Sequence, residues 1–387
     1  MKLLKSKIAV SFFFVSGGSS LALWAVHIPL IEDRVGITYQ TLGLLLTLSG
    51  LGGFFAMQLF GWMVDHIGAK SATRLGGLVV GLSLFGPAFA PDPFWLGLAI
   101  FGIGFGISGI DVSMNAAALQ VEKANGRAIF TFFHLFWSVG GLLGAGLGFF
   151  TIGLGLNQSQ TLPVVGTILS AVGVVMANWL LPDESVAHKG EKSETKAVSK
   201  ANRRVFAFVI LAGLMAASGA IIEGVAQDWS ALYLSDYQNV SFALAAWGLA
   251  AFNIGMITGR IFIDRIVEVK GRNFIIKYGS LFAAGAIFLQ AFAPNYEFSL
   301  VAWGLLGLGI SGVVPQIFAA AGEIGEESHH GRNMAKVVGI TYIGGLAGPS
   351  IIGLATGILP LNYAIGWGAI LGLFIFLATA KLDKLPK

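Results

Sequence analysis

The chain has 387 residues, of which 55% are hydrophobic and only 11% are charged, and its mean hydropathy is +0.78. Because a soluble domain carries about 25% charged residues, most of this surface cannot face water. The net charge of +4 does not indicate nucleic-acid binding, because the basic residues are spread through short loops and form no patch. The absence of cysteine excludes disulfides, thiolate metal sites and a cysteine nucleophile.

Twelve long apolar runs divide the chain, each close to the 20 residues that a helix needs to cross a bilayer. The first six predicted helices are Lys7–Ile31, Tyr39–Trp62, Leu75–Ala90, Phe94–Val121, Arg127–Leu154 and Leu162–Leu181. The second six are Val205–Leu234, Phe242–Ile263, Phe274–Phe292, Phe298–Gly322, Met334–Gly357 and Tyr363–Ala380. We number them 1 to 12 and predict an all-α, multi-pass protein of the cell membrane, which in a bacterium is the inner membrane.

The basic residues test this helix count, because cytoplasmic loops of membrane proteins are enriched in Lys and Arg. With a cytoplasmic N-terminus, all 24 Lys and Arg residues except Arg34 fall on the inner side. Arg260 is assigned by this pattern to the loop after helix 8. The distribution therefore predicts an even number of helices and two cytoplasmic termini.

An internal repeat predicts two pseudo-symmetric six-helix bundles. Residues 104–118 and 307–321 are identical at 8 of 15 positions, with an offset of 203. The pattern Gly-Gly-Leu-x-Gly occurs at 140–144 and again at 344–348. Helices 4 and 5 thus correspond to helices 10 and 11, in parallel repeats that place a site between the bundles. The predicted domains are an N-terminal bundle at 1–182, a cytoplasmic linker at 183–204 and a C-terminal bundle at 205–387.

A charged motif, G-x-x-x-D-x-x-G-x-K-x-x-x-R, lies between helices 2 and 3. Its carboxylate can accept hydrogen bonds from backbone N–H groups at a neighbouring helix N-terminus, while its basic side chains face lipid headgroups. A link of this kind that breaks and re-forms would be a cytoplasmic gate. The predicted gate residues, including those of a degenerate second copy after helix 8, are Gly61, Asp65, Gly68, Lys70, Arg74, Asp264 and Arg265.

The motif, its loop position and the twelve helices resemble the signature of the major facilitator superfamily over the whole chain. Residues 111–116 and 136–140 also resemble the fucose:proton symporter-like branch, which has an acid before an Ala-Asn-rich turn in helix 4. The resemblance implies a proton-coupled importer of sugar-like solutes. That branch has a second essential acid in helix 1, where this sequence has Trp24 and Ala25. A Gly-Pro pair in helix 5, typical of drug:proton antiporters, is missing.

Asp111 is the leading candidate for a functional residue. An ionisable group in the hydrocarbon costs at least ~2.5 kcal/mol and normally faces an interior cavity. Asp111 lies about ten residues, or ~15 Å, from the inner end of helix 4, and its spacing to Ser108 and Asn115 places the three on one face. Helix 10 has Val314 at the corresponding position, so symmetric packing does not require the acid. We predict proton or substrate binding; the alternative is a structural hydrogen bond between helices.

Other polar residues within the helices are weaker candidates. Trp24 could stack on a sugar ring or a base, and His27 could donate a hydrogen bond to the same solute. A Trp near a membrane end can also be an interface anchor. If helix 7 continues past the hydrophobic core, Glu223 lines the outer half of the cavity; otherwise Glu223 is an interfacial residue. His134 could share a proton with Asp111 or simply pack. Three residues in helices 8, 10 and 11 would complete a polar lining, namely Asn253, Gln316 and Tyr342.

These features predict a monomeric secondary transporter that moves a small polar solute by alternating access, most simply as proton-coupled import. A sugar-like or nucleoside-like solute, or a small cation, fits better than a multivalent anion, because no Lys or Arg is expected at the midplane. Proton-linked efflux and a non-transporting membrane receptor are the alternatives.

No enzyme motif, phosphate-binding glycine loop or cofactor site is recognised, so we expect no enzyme and no cofactor. The acids and histidines at 323–330 have no metal-ligand spacing and are interpreted as a solvated loop, so no metal is expected.

Overall fold

The computed structural model describes residues 2–126, 129–183, 201–321 and 330–382. It contains twelve helices that are long and apolar enough to span a membrane, which confirms the predicted fold class. The first six are α1 Lys2–Val35, α2 Tyr39–Ile67, α3 Ala69–Phe89, α4 Pro93–Asn125, α5 Phe132–Gly153 and α6 Gln158–Trp179. The second six are α7 Val205–Tyr237, α8 Phe242–Ile263, α9 Arg272–Ala291, α10 Tyr296–Ala321, α11 Lys336–Ala355 and α12 Leu361–Leu382.

Several helices begin where a polar side chain accepts from the first free backbone N–H groups. Asp92 accepts from Phe94 and Trp95 at the start of α4, and Asn295 accepts from Phe298 at the start of α10. These two caps are 203 residues apart, the same offset as the sequence repeat. The chain therefore starts both members of this helix pair with the same local interaction.

Departures from regular α-helix occur within α10 and at the end of α7. In α10 the helix stops at Ile310 and resumes at Val313. Pro315 explains the break, because proline has no N–H to donate to the carbonyl of the residue four positions earlier. A π-helical turn at Tyr233–Tyr237 ends α7, and such turns are frequent at functional sites.

The closest backbone approaches also repeat between the two halves. A Cβ on Gly52 of α2 would lie 2.0 Å from the carbonyl oxygen of Phe101, and one on Gly255 of α8 would lie 2.0 Å from that of Gly304. Both pairs are related by the offset of 203. Small residues at these positions allow the helices to touch backbone to backbone. Matching contacts of this kind confirm the pseudo-symmetric halves that the repeat predicts.

The described residues form two compact units. Those within Met1–His188 and Asp228–Asn253 form the first unit, and those within Lys189–Gln227 and Ile254–Lys387 form the second. The last part of α7 and the first part of α8 thus pack with α1–α6. The domain division at the linker 183–204 stays a prediction, because residues 184–200 lie outside the described part of the chain. Residues 322–329 also lie outside it, and they include most of the acids and histidines of the predicted loop at 323–330.

The assignment of Arg260 to a loop is wrong. The helix that contains α8 runs without a break from Phe242 to Lys270, so Arg260 lies inside the spanning segment. Its charge is tolerated there because it interacts electrostatically with the carboxylate of Glu223, near the middle of the 33-residue α7. The basic residues that do lie at the end of this helix begin with Arg265.

We expect Gly52→Ala and Gly255→Ala each to destabilise the protein by about 1–3 kcal/mol, because the added methyl group forces the two backbones apart. Gly102→Ala and Gly285→Ala are matched controls, since a Cβ at either position meets nothing within 4 Å. Melting temperatures of the four variants in detergent check this expectation. Equal melting of the variants and their controls would contradict the close approach.

Candidate substrate site and gates

Asp111 lies on a partly exposed face of α4. Ser108, Asp111 and Asn115 are half-buried, whereas Ile110 and Met114 on the opposite side are fully buried. The predicted shared face is thus accessible along its length.

Asn115 is the hydrogen-bond partner of Asp111. Its Nδ2 donates to the Asp111 carboxylate at 3.0 Å and to the Asp111 backbone carbonyl at 2.9 Å. The Asn115 Oδ1 is buried without a hydrogen-bond partner. An ionised carboxylate can accept about four hydrogen bonds, so this pair retains acceptors for hydroxyl or amine groups of a solute.

Trp24 and His27 of α1 are buried among protein side chains, at 2% and 0% exposure. The His27 Nδ1 lies 2.7 Å from the Leu23 carbonyl oxygen and donates to it, which leaves Nε2 as an acceptor without a partner in the described residues. The His27 ring lies beside Gly148 of α5. His27 therefore belongs to the α1–α5 interface, and a solute reaches it only if that interface opens.

The other predicted site residues lie in different environments. The His134 ring packs edge-on against Phe14, with 5.0 Å between ring centroids. Asn253 is 3% exposed, and its Oδ1 lies against the bare backbone of Gly141 in α5. Gln316 is half-buried on α10, and Tyr342 on α11 is 46% exposed. Glu223 is half-buried on α7. A hydrogen bond joins two members of the predicted set, Asp111 and Asn115.

The predicted cytoplasmic gate is organised by a residue that the motif does not contain. Asp183, just after α6, accepts from the backbone N–H of Lys70 at the start of α3, with 2.8 Å between Lys70 N and Asp183 Oδ1. Gly68 has φ +88°, and a Cβ there would collide with this carboxylate. Arg74 donates to Asn178 at 2.7 Å. The carboxylate-to-helix link that was predicted for Asp65 is thus made by Asp183.

The remaining gate residues have few neighbours in the described part of the chain. The side chains of Asp65 and Arg265 are exposed. A Cβ on Gly61 would meet nothing within 4 Å. The side chain of Asp264 lies outside the described residues. Gly271 has φ +80° and ψ 160°, close to the φ +88° and ψ 160° of Gly68. Glu268 and Asp65 each lie three residues before these glycines, so Glu268 is the counterpart of Asp65 in the second half.

A second cluster, missed by the sequence analysis, joins the end of α1, the start of α2 and the end of α7. The Tyr39 hydroxyl donates to Asp236 Oδ2 at 2.7 Å, and the Trp229 indole meets the Tyr39 ring edge-on. Glu32 lies close enough to Asp236 for the two carboxylates to repel each other. We call these four residues the tyrosine–aspartate cluster. Tyr39 and Asp236 are 197 positions apart, so no local pattern could reveal the pair.

We expect Asp183→Ala to lower the free energy of unfolding by about 0.5–2 kcal/mol, the usual cost of losing a side chain that caps a helix N-terminus. Asp183→Asn keeps an acceptor oxygen and should retain most of the stability. Asp65→Ala is the control, because that carboxylate is exposed. Thermal melting in detergent measures the effect, and a larger loss in the Asp65 variant than in Asp183→Ala would contradict the assignment.

We expect Tyr39→Phe to loosen the tyrosine–aspartate cluster, because a hydrogen bond to a charged group contributes about 1.5–3 kcal/mol. The chain has no cysteine, so a single Ser230→Cys substitution reports opening at a position with 0% exposure. Thiol labelling of Cys at this position should become about tenfold faster in the Tyr39→Phe background. Tyr237→Phe, which changes an exposed neighbouring tyrosine, should leave the rate unchanged. Equal rates in all three backgrounds would show that the hydrogen bond does not hold the cluster closed.

Comparison with known proteins places this geometry in a family. The family model of the Major Facilitator Superfamily matches residues 8–288 and 224–387. An uncharacterised transporter of this type from Yersinia pestis is 32% identical over 379 residues, which cover 95% of this chain and 93% of the relative.

Two solved structures share the fold. The nucleoside transporter NupG aligns with a TM-score of 0.76 at 17% identity, over 100% of both chains. A D-xylose-proton symporter aligns with a TM-score of 0.78 at 13% identity, over 99% of this chain and 98% of the other. Together with the family match and the twelve spanning helices, they show that the chain belongs to the Major Facilitator Superfamily, as a multi-pass inner-membrane transporter and not an enzyme.

Proposed function

We propose that this transporter imports a small polar solute, sugar-like or nucleoside-like, together with protons, and that Asp111 binds the solute or the proton. The observation that carries the proposal is the position of Asp111. Its carboxylate lies inside a membrane-spanning helix, on an accessible face, next to an unpartnered acceptor of Asn115. A carboxylate in an apolar environment can take up and release a proton near neutral pH.

The hydrogen bonding of Asp111 argues against a purely structural role. Its hydrogen-bond partner is Asn115, one turn further along the same helix. A carboxylate retained to hold two helices together would accept from a donor on the neighbouring helix. The charge therefore contributes little to packing within the described residues, although a buried charge is costly in the membrane.

Alternating access supplies the transport mechanism of the proposal. Two six-helix bundles, at 1–182 and 205–387, would rock about a central site with both termini in the cytoplasm. The tyrosine–aspartate cluster, which joins the end of α7 to α1 and α2, would be a contact that closes and opens on one side. Pro315 and the interruption of α10 give that helix a place to bend.

The solute class is supported by the fold neighbours and by the helix 4 and 5 resemblance to the fucose:proton symporter-like branch. One neighbour is named as a nucleoside transporter and another as a D-xylose-proton symporter. Nucleosides and sugars both present several hydroxyl groups, which suit the carboxylate and amide acceptors of Asp111 and Asn115. The remaining proposed lining residues are Trp24, His27, His134, Glu223, Asn253, Gln316 and Tyr342.

We expect Asp111→Asn to abolish proton-driven accumulation of the solute in proteoliposomes while leaving the protein folded, because the amide keeps the shape but cannot ionise. A thermal-shift screen of purified protein against sugars and nucleosides supplies the solute for this assay. Asp92→Asn is the control, since Asp92 lies on the same helix but only caps its start. Normal accumulation by Asp111→Asn would overturn the role of this residue.

A further inference from the structure

The second unit contains two opposite charges on facing membrane helices. Glu223 is half-buried near the middle of α7, and Arg260 is half-buried on α8. The two opposite charges lie close enough to attract each other. Arg260 also makes other contacts. A guanidinium has five N–H donors, more than one carboxylate can use.

The internal repeat shows that packing does not require this pair. Helix α5 packs on α1 through Gly140 and Val15, and helix α11 packs on α7 through Gly344 and Ala217. These matching contacts make Val15 the counterpart of Ala217, so α1 and α7 are related by an offset of 202. The position that matches Glu223 is therefore Leu21.

The close approaches at Gly52 and Gly255 relate α2 to α8 by 203, which makes Met57 the counterpart of Arg260. The first half thus builds the same helices with two apolar residues. Apolar residues commonly replace a buried ion pair without loss of stability, so these charges indicate function.

The surroundings of Glu223 leave room for a ligand. Ala220, Glu223, Gly224 and Gln227 share one face of α7 by their spacing, and all four are half-buried, whereas Ile222, Val225 and Ala226 are fully buried. A Cβ added to Gly224 would meet nothing within 4 Å. An accessible polar face with open space therefore runs beside the charge pair.

We propose that Arg260 binds one carboxylate group of the transported solute, with Glu223 as its counter-ion when the site is empty. This inference rests on the proposed function and narrows its substrate class to a sugar-sized or nucleoside-sized acid with a single negative charge. A guanidinium binds a carboxylate through two parallel hydrogen bonds. Because Glu223 adds one negative charge to the same place, a multivalent anion is disfavoured. The sequence-based preference for neutral solutes and small cations relied on the expected absence of basic residues at the midplane. Arg260 lies nearer the end of the α8 span, but it places a cation inside a membrane helix, which that preference did not take into account.

Matched solutes test the proposal. Glucose, glucuronate and glucosamine have the same ring and differ in charge, as uridine and orotidine differ by one carboxylate. Competition and counterflow in proteoliposomes measure their relative affinities. We expect the acid of at least one set to bind about tenfold more tightly than its uncharged partner. Arg260→Lys keeps the charge but loses the paired hydrogen bonds, and should reduce that advantage about tenfold.

A charge-swapped variant separates substrate binding from a structural role. Glu223→Arg combined with Arg260→Glu keeps opposite charges on the same two helices but moves the guanidinium to α7. A purely structural pair would be restored in full by the swap. We expect the swapped protein to fold, as judged by its melting temperature, and to lose the preference for the acid.

The outcomes distinguish this inference from the proposed function. Counterflow of glucose or uridine with no advantage for the acids, or a swapped variant that keeps the advantage, overturns the role of Arg260 and leaves the transport proposal standing. A wild-type protein that moves none of the five solutes overturns both.

Discussion

The hydrocarbon core of the membrane is the constraint on which this structure depends. Inside it, every backbone N–H and C=O must be paired within the protein, and every charge must be offset or placed on a protected face. The first requirement produces twelve helices that are long and apolar enough to span a membrane. The second makes the few charged groups within those helices informative, because apolar residues would cost less there.

Three of the charged residues inside the helices stand where the other half of the repeat has an apolar residue. Asp111 stands where the second half has Val314, while Glu223 and Arg260 stand where the first half has Leu21 and Met57. The same helix framework therefore tolerates either charged or apolar side chains at each position. Charges that the framework does not need are available for a solute or a proton. The differences between the two halves therefore indicate which residues take part in the proposed transport.

Features set by local patterns were predictable from the sequence. Helix number follows from apolar run length, and the shared face of Asp111 and Asn115 follows from helical spacing. Glycine patterns indicated the paired helices because only small residues permit close backbone contact.

Features that depend on chain folding were not predictable. Asp183 caps a helix more than a hundred positions away, and the motif offered Asp65 instead. The bond from Tyr39 to Asp236 has no local signature. The distribution of basic residues assigned Arg260 to the loop after helix 8, whereas its helix continues to Lys270.

Proton coupling is the central claim, and the pH inside vesicles measures it most directly. Proteoliposomes would be loaded with a pH-sensitive dye, and solute would be added outside with no ion gradient imposed. Proton-coupled import predicts that the interior acidifies as the solute enters, in proportion to uptake. Solute entry with no change of internal pH would contradict proton coupling and with it the role proposed for Asp111.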